Sequence, residues 1–221
     1  MKKLPIFWSF RRCPYAMRAR LAVKSAGIEV ELREILLREK PALFLAASTT
    51  ATVPVLELLH GQVIEESRDI MFWALQESGD PEGWLSGWQQ DEAATTLFLD
   101  QLDGPFKTDL DRYKYAARFV SDKTDAAELA LNHRTSGAAF LGMIEARLTE
   151  HPFLNGLTAG LADYAALPFV RQFRIADMTW FDAQDWPGVH HWLQTFLSSQ
   201  RFTDIMHKYS PWQPDQPPET F

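Results

Sequence analysis

The sequence is poor in thiols, in runs of positive charge and in long apolar stretches, and each shortage closes off a class of function. Cys13 is the single cysteine of 221 residues, so no intramolecular disulfide framework and no multi-thiolate metal site can be built from this chain. Six histidines are scattered, and the adjacent pair His190-His191 points to different faces of a helix, so no metal ligand set is expected. Lys and Arg number 22 against 29 Asp and Glu, a net charge of −7, and no basic tract interrupts the balance. That excludes broad phosphate-backbone binding and adhesion to anionic lipid. Nucleic acid and membrane are therefore not expected partners. No window approaches the roughly 18 apolar residues that span a bilayer, and Met1 to Pro5 runs straight into a strand-like stretch. A cytoplasmic location is expected.

What is present is an ordinary globular composition, 46% hydrophobic and 23% charged, rich in aromatics at 13% with 8 Trp. The first third alternates strand and helix. Ile6 to Phe10 reads as a strand, and Pro14 to Ala26 as a helix with Met17, Leu21, Ala22 and Ser25 on one face. Gly27 suits its stop. A second strand is expected over Ile28 to Ile35 and a short helix from Pro41 to Ala47. Val53 to Leu58 and Gln62 to Ile64 flank His60-Gly61 as a hairpin. Ser67 then caps a helix striped by Ile70, Met71, Ala74 and Leu75. The order β-α-β-α-β-β-α is that of a thioredoxin-like layer of helices on a mixed sheet.

Gly79-Asp80-Pro81-Glu82-Gly83 breaks the pattern, and beyond it the period is helical throughout. Helices are expected over 88–102, 107–120, 125–149, 161–173, 189–198 and 202–208. Ser210 to Phe221 holds four prolines and reads as an irregular tail. The fold class is thus α/β followed by all-α. Residues 1–78 form the first domain, 79–87 a linker, 88–209 a helical domain and 210–221 the tail.

A lone cysteine is usually a small buried hydrophobe. Cys13 has a different setting. It lies between a strand and the helix that Pro14 begins, where unpaired N–H groups and the positive end of the macrodipole favour a thiolate. Arg11, Arg12 and Arg18 lie close in sequence. Such surroundings lower a cysteine pKa from about 8.5 to between about 3.5 and 7.5. Three residues on stands Ala16, so no second thiol can resolve a mixed disulfide. A monothiol needs an external thiol to complete its cycle, which points to glutathione.

The Cys13-Pro14-Tyr15-Ala16 motif after a strand, the run Thr52-Val53-Pro54-Val55-Leu56 and the pair Glu66-Ser67 resemble the first domain of cytosolic glutathione transferases. The cysteine places the resemblance near omega-like and related bacterial classes. It extends over nearly the whole chain. Gly160 to Ala166 is similar to the helix-start motif of the family's second domain, and Trp186 to Leu193 to the segment that follows it. Leu110 to Tyr115 resembles a bacterial branch.

The resemblance implies a cis Val53-Pro54 bond, with Val53 pairing its backbone to the cysteinyl part of glutathione. It implies that Glu66 meets the γ-glutamyl ammonium and Ser67 the γ-glutamyl carboxylate at a helix start, and that Lys40 approaches the glycyl carboxylate. Ser67 as a plain N-cap and Lys40 as a solvated lysine are the structural alternatives, and Tyr15 reads as packing. The chain departs from the omega pattern at Ala47-Ser48-Thr49-Thr50-Ala51, where an Asn-Pro turn is usual, and at Gly160, where Ser or Thr is usual. An acceptor pocket between the domains is implied, with Phe106, Tyr113, Tyr115, Trp180 and Phe181 as lining or as core.

Glutathione is then the co-substrate, no metal is required, and a homodimer is implied. Three functions fit: thiol transfer by Cys13 (deglutathionylation, disulfide or dehydroascorbate reduction), conjugation of glutathione to electrophiles, and a non-catalytic partner-binding protein resembling stringent starvation protein A.

Overall fold

The computed structural model describes residues 3–221; Met1 and Lys2, at the head of the first expected domain, lie outside them. Two compact units divide the chain: residues up to Gly83 together with Ser199–Phe221, and Trp84–Ser198.

In the first unit, strands β1 (Ile6–Ser9), β2 (Glu31–Glu34), β3 (Val55–Glu57) and β4 (Val63–Ile64) interleave with helices α1 (Pro14–Ser25), α2 (Ala42–Ala47) and α3 (Ser67–Glu77). The sheet has the order β4-β3-β1-β2-β5, with β5 formed by Glu219–Thr220. β1 lies parallel to β2, with Phe7 opposite Leu32, and antiparallel to β3, with Phe7 opposite Leu56. β3 and β4 are antiparallel. Strands β1, β2 and β4 therefore run one way and β3 the other. This topology decides where the site lies: β1, β2 and β4 end at the same edge of the sheet at which β3 begins. Cys13, Lys40, Glu66-Ser67 and Val53-Pro54 follow or precede those ends, so segments far apart in sequence arrive at one edge. α1 packs on α3, through faces that bury Met17, Leu21, Ile70 and Leu75. Gly27, at φ +63, ends α1 in the left-handed region that costs glycine little.

The expected tail and domain limits differ from what is found. Residues 199–221 belong to the first unit, where they are neither part of the helical unit nor irregular throughout. The Arg20 guanidinium donates to the Ile205 carbonyl at 3.0 Å and Arg11 to that of Met206 at 3.2 Å, which anchors α11 (Gln200–Ile205). The Trp212 N–H donates to the Glu34 carbonyl at 2.7 Å. Phe221 and Val30 exchange both of their backbone bonds, beside the β2–β5 pairing. The physical reason is the open side of β2, a row of unpaired backbone groups that the chain's own end covers. The prolines punctuate this segment and leave free the donors that it uses. Beneath it, Arg20 is fully buried against Glu34 and Ser9. Burial pushes the guanidinium down and Glu34 opposes that shift.

The second unit is helical: α4 (Ser86–Gln90), α5 (Glu92–Gln101), α6 (Lys107–Lys114), α7 (Lys123–Glu150), α8 (Leu161–Ala176), α9 (Met178–Asp182) and α10 (Pro187–Leu197). The helix expected over 88–102 is broken at Asp91, whose carboxylate accepts from Ala94 N at 2.9 Å and so caps a new helix inside the apolar period. A π turn, Leu102–Phe106, carries the chain from α5 into α6 through Gly104-Pro105. The helix expected over 107–120 gives way after Lys114 to a short 3₁₀ turn, Ala116–Arg118.

Fully buried Asp163 organises one end of α8. Its carboxylate accepts from the backbone N–H groups of Leu154 (2.8 Å), Asn155 (3.3 Å) and Gly160 (3.0 Å) and from the Trp192 indole (2.8 Å). Gly160, the N-cap of α8, has no side chain to accept from the helix, so only the reciprocal half of a capping box forms, with Asp163 accepting from the Gly160 N–H. Gly137 on α7 gives α8 room: a Cβ there would lie 2.5 Å from the Phe173 ring. Gly137→Ala is expected to lower unfolding stability by about 1–3 kcal/mol in urea titration, through overpacking that outweighs the better helix propensity of alanine. Among the described residues, no helix is long and apolar enough to cross a membrane.

Candidate functional site

Cys13 is the N-cap residue of α1, extended at φ −78 and ψ 124, with Pro14 in the first helical turn. Proline there forfeits no intrahelical hydrogen bond, and the turn is closed by Cys13 N–H to the Phe10 carbonyl at 2.9 Å. The thiol is half-buried, and its Sγ lies 3.7 Å from the carbonyl oxygen of Val53. The Val53-Pro54 peptide is cis, as the resemblance implies. Cys13 also packs against a buried cluster of Trp8, Ile35, Phe44, Val53, Val55 and Trp212. The floor of the site therefore includes a residue from the far end of the chain.

Arg11 and Arg12 do not both turn to the thiol. Arg11 is engaged with the Met206 carbonyl, and Arg12 lies over the Phe10 ring at 5.4 Å. Arg18 is 1% exposed, and its Nε donates to the Ser67 hydroxyl at 3.0 Å. Glu66, not Ser67, is the N-cap of α3, so Ser67 is the first helical residue, and its buried hydroxyl oxygen accepts from Arg18. This corrects the expectation of a Ser67 cap. Lys40 stands exposed just ahead of Pro41, the N-cap of α2.

Sequence reasoning missed Glu65. Its carboxylate accepts from the Ser48 hydroxyl (2.9 Å), from Thr49 N (3.0 Å) and Oγ1 (2.7 Å), and from Thr50 N (3.3 Å) and Oγ1 (3.2 Å). These bonds, that of the Thr49 hydroxyl foremost, pull the carboxyl from the usual 4.5 down to about 2. A depressed folded value means that this tie is complete above pH 4.5 and is lost only as pH falls toward about 2. The Ser-Thr-Thr stretch in place of an Asn-Pro turn was the one signal for it.

In the helical unit, three of the expected acceptor-pocket residues meet at Phe173, which the sequence did not single out. Phe106 (centroids 5.5 Å apart), Tyr113 (5.0 Å) and Trp180 (6.3 Å) all contact its ring. Phe106 is 1% exposed and stacked on Phe140 at 4.6 Å, a core position with no open face for a ligand. Phe181 is likewise fully buried. Trp180 lies under the Arg134 guanidinium at 4.5 Å. Burial pushes the Tyr113 hydroxyl up, Asp177 adds to the shift and Arg134 opposes it. Tyr115 packs with Arg118 and Lys114, apart from the Phe173 group.

A thiol at a helix start, facing the backbone ahead of a cis-proline on a mixed β-sheet, defines a thioredoxin-like thiol site joined in one chain to a helical unit. Comparison with known proteins agrees with that class. The family model for the glutathione S-transferase N-terminal domain matches residues 7–82, and that for the C-terminal domain matches residues 127–195. Glutathione S-transferase U22 of Arabidopsis thaliana is 25% identical over 181 residues, which is 81% of this chain and 75% of that protein. Glutathione S-transferase omega-1 of Rattus norvegicus is 40% identical over 60 residues, 27% of this chain and 25% of its own length. Among solved structures, a glutathione S-transferase from Rhodospirillum rubrum F11 superposes with a TM-score of 0.75 at 20% identity, covering 97% of this chain and 96% of that one. A glutathione transferase family member from Pseudomonas fluorescens pf-5, with two glutathione bound, gives 0.72 at 17% identity, covering 92% of each chain. At these identities the superpositions speak to the fold. The chain belongs to the glutathione S-transferase superfamily of enzymes, across both of that family's domains.

Proposed function

We propose that this enzyme carries out glutathione-dependent thiol transfer with Cys13 as nucleophile. The observation that carries the reading is the Cys13 sulfur at the start of α1, 3.7 Å from the Val53 carbonyl on a cis Val53-Pro54 peptide. The positive end of the α1 macrodipole favours negative charge on that sulfur, and ionisation releases the hydrogen bond that the thiol donates to the Val53 carbonyl. Glutathione lies along Val53, its cysteinyl backbone bonded to the Val53 N–H and C=O, with Pro54 fixing the turn. Its γ-glutamyl carboxylate meets the start of α3 at Ser67, its ammonium meets Glu66, and Lys40 takes the glycyl carboxylate.

The Cys13 thiolate attacks the glutathione sulfur of a mixed disulfide. A sulfur–sulfur bond forms to Cys13, the old one breaks, and the acceptor leaves as a thiolate that takes up a proton. A second glutathione, as thiolate, attacks the Cys13-bound glutathione sulfur. Glutathione disulfide leaves and the Cys13 thiolate is restored. Ala16, in the place of a resolving cysteine, makes the second glutathione necessary. The acceptor in this reading is a small hydrophobic or disulfide molecule, and the enzyme acts in the cytoplasm as a homodimer. Tyr113 and Trp180, half-buried around Phe173, are the aromatic side chains offered for acceptor contact.

The test is intact-mass spectrometry after exposure to glutathione disulfide. One glutathione adduct, mapped to Cys13 and discharged by reduced glutathione, is expected. Absence of an adduct from neutral to mildly alkaline pH overturns thiol transfer and leaves conjugation to electrophiles, or a partner-binding role, as the reading.

A further inference from the structure

We infer that Glu65 is a positioning residue for glutathione, a clamp that fixes the Val53 segment against the Glu66-Ser67 segment; this rests on the glutathione reading above. The two halves of the proposed site come from different parts of the chain. Residues 48–52 lead directly into Val53, and Glu65 directly precedes Glu66, the N-cap of α3. The Glu65 side chain crosses between them. One carboxylate gathers donors from Ser48, Thr49 and Thr50, two of them backbone N–H groups.

The loop needs such a tie. It forms neither strand nor helix between Ala47 and Val55. Ala51 sits at φ +53, a conformation that a residue with a Cβ holds only where its surroundings impose it. The Thr50 and Thr52 hydroxyls are 2.6 Å apart, so the order that Glu65 imposes on Thr50 passes one step closer to Val53. Val53 is the residue whose carbonyl faces the Cys13 sulfur. A loop freed from Glu65 leaves Val53 to be ordered when glutathione binds, and binding weakens by that ordering cost.

Glu65→Gln preserves size and one acceptor oxygen but sets an NH2 group against the loop's donors. Reduced glutathione is titrated into wild type and variant by calorimetry, mixed-disulfide reduction is followed in both, and hydrogen exchange of peptides spanning residues 48–53 is recorded. The expected result is a roughly tenfold rise in glutathione Kd and KM, the effect of one charge-assisted tie lost. The kcat should stay within about twofold, and exchange of the loop should quicken. Should Glu65→Gln fail to fold, Thr49→Val removes only the 2.7 Å hydroxyl bond from an exposed side chain and should raise Kd in the same direction by less. Unchanged Kd in a folded variant, or kcat and KM falling together, overturns the positioning role while the glutathione reading stands. Wild type that binds no glutathione overturns that reading, and the inference with it.

Discussion

Cys13→Ser is expected to reduce glutathione-dependent mixed-disulfide reduction to the uncatalysed rate, a fall of at least about a thousandfold in kcat. A serine hydroxyl does not ionise near neutral pH and cannot form the sulfur–sulfur bond through which the reaction passes. The variant should remain folded, because Cys13 is half-buried at the rim of its cluster and the change conserves shape. It should also keep its glutathione affinity, because the proposed binding groups are the Val53 backbone, Glu66, Ser67 and Lys40. Loss of kcat with Kd retained is therefore the signature of nucleophilic catalysis, read by calorimetry beside a mixed-disulfide assay. A serine variant that loses mixed-disulfide reduction yet conjugates glutathione to electrophiles would show that one site supports both chemistries. Activity surviving in the mixed-disulfide assay would remove Cys13 from the reaction.

The second large effect lies in the helical unit. Asp163→Ala is expected to cost about 2–4 kcal/mol, seen as a lower urea midpoint. The carboxylate is fully buried and accepts four hydrogen bonds, from Leu154, Asn155, Gly160 and Trp192. Alanine leaves those donors without acceptors in a space that water enters poorly, and a buried donor left unsatisfied costs about 1–3 kcal/mol. Asp163→Asn sharpens the argument. Every group around Asp163 is a donor, so an amide must turn its own NH2 toward two of them, and the isosteric change should recover little of the loss. Recovery of most of the stability by asparagine would mean that packing, not acceptance, is the role of Asp163.

Much of this was legible in the sequence because its signals are local. Pro14 beside Cys13 marks a helix start, Gly27 its stop and His60-Gly61 a hairpin, and each is set by residues within one or two turns of chain. The Cys13, Val53-Pro54 and Glu66-Ser67 motifs could be placed in order before their meeting was visible. The break at Asp91 in the helix expected over 88–102 is hidden because its apolar neighbours keep helical spacing across it, whereas its carboxylate caps a new helix. Phe106 and Tyr113 could be named as aromatic, but their packing at the Phe173 ring is a property of the π turn, α6 and α8 together.

By itself, the sequence determined the alternation that makes the first unit, the helical character of the second, and a thiol placed where a strand meets a helix. Only the tertiary structure decided that residues 199–221 complete the first unit, with β5 covering the edge of β2 and Trp212 joining the cluster against which Cys13 packs. It alone decided that Arg18 reaches Ser67 and that Glu65 ties residues 48–50. The hydrogen bonds that hold the first unit together span from 15 positions, Thr50 to Glu65, to 195, Arg11 to Met206. Over such separations no periodicity or capping pattern carries information, and the partner is set by which unpaired backbone group or carboxylate the packed fold leaves within reach.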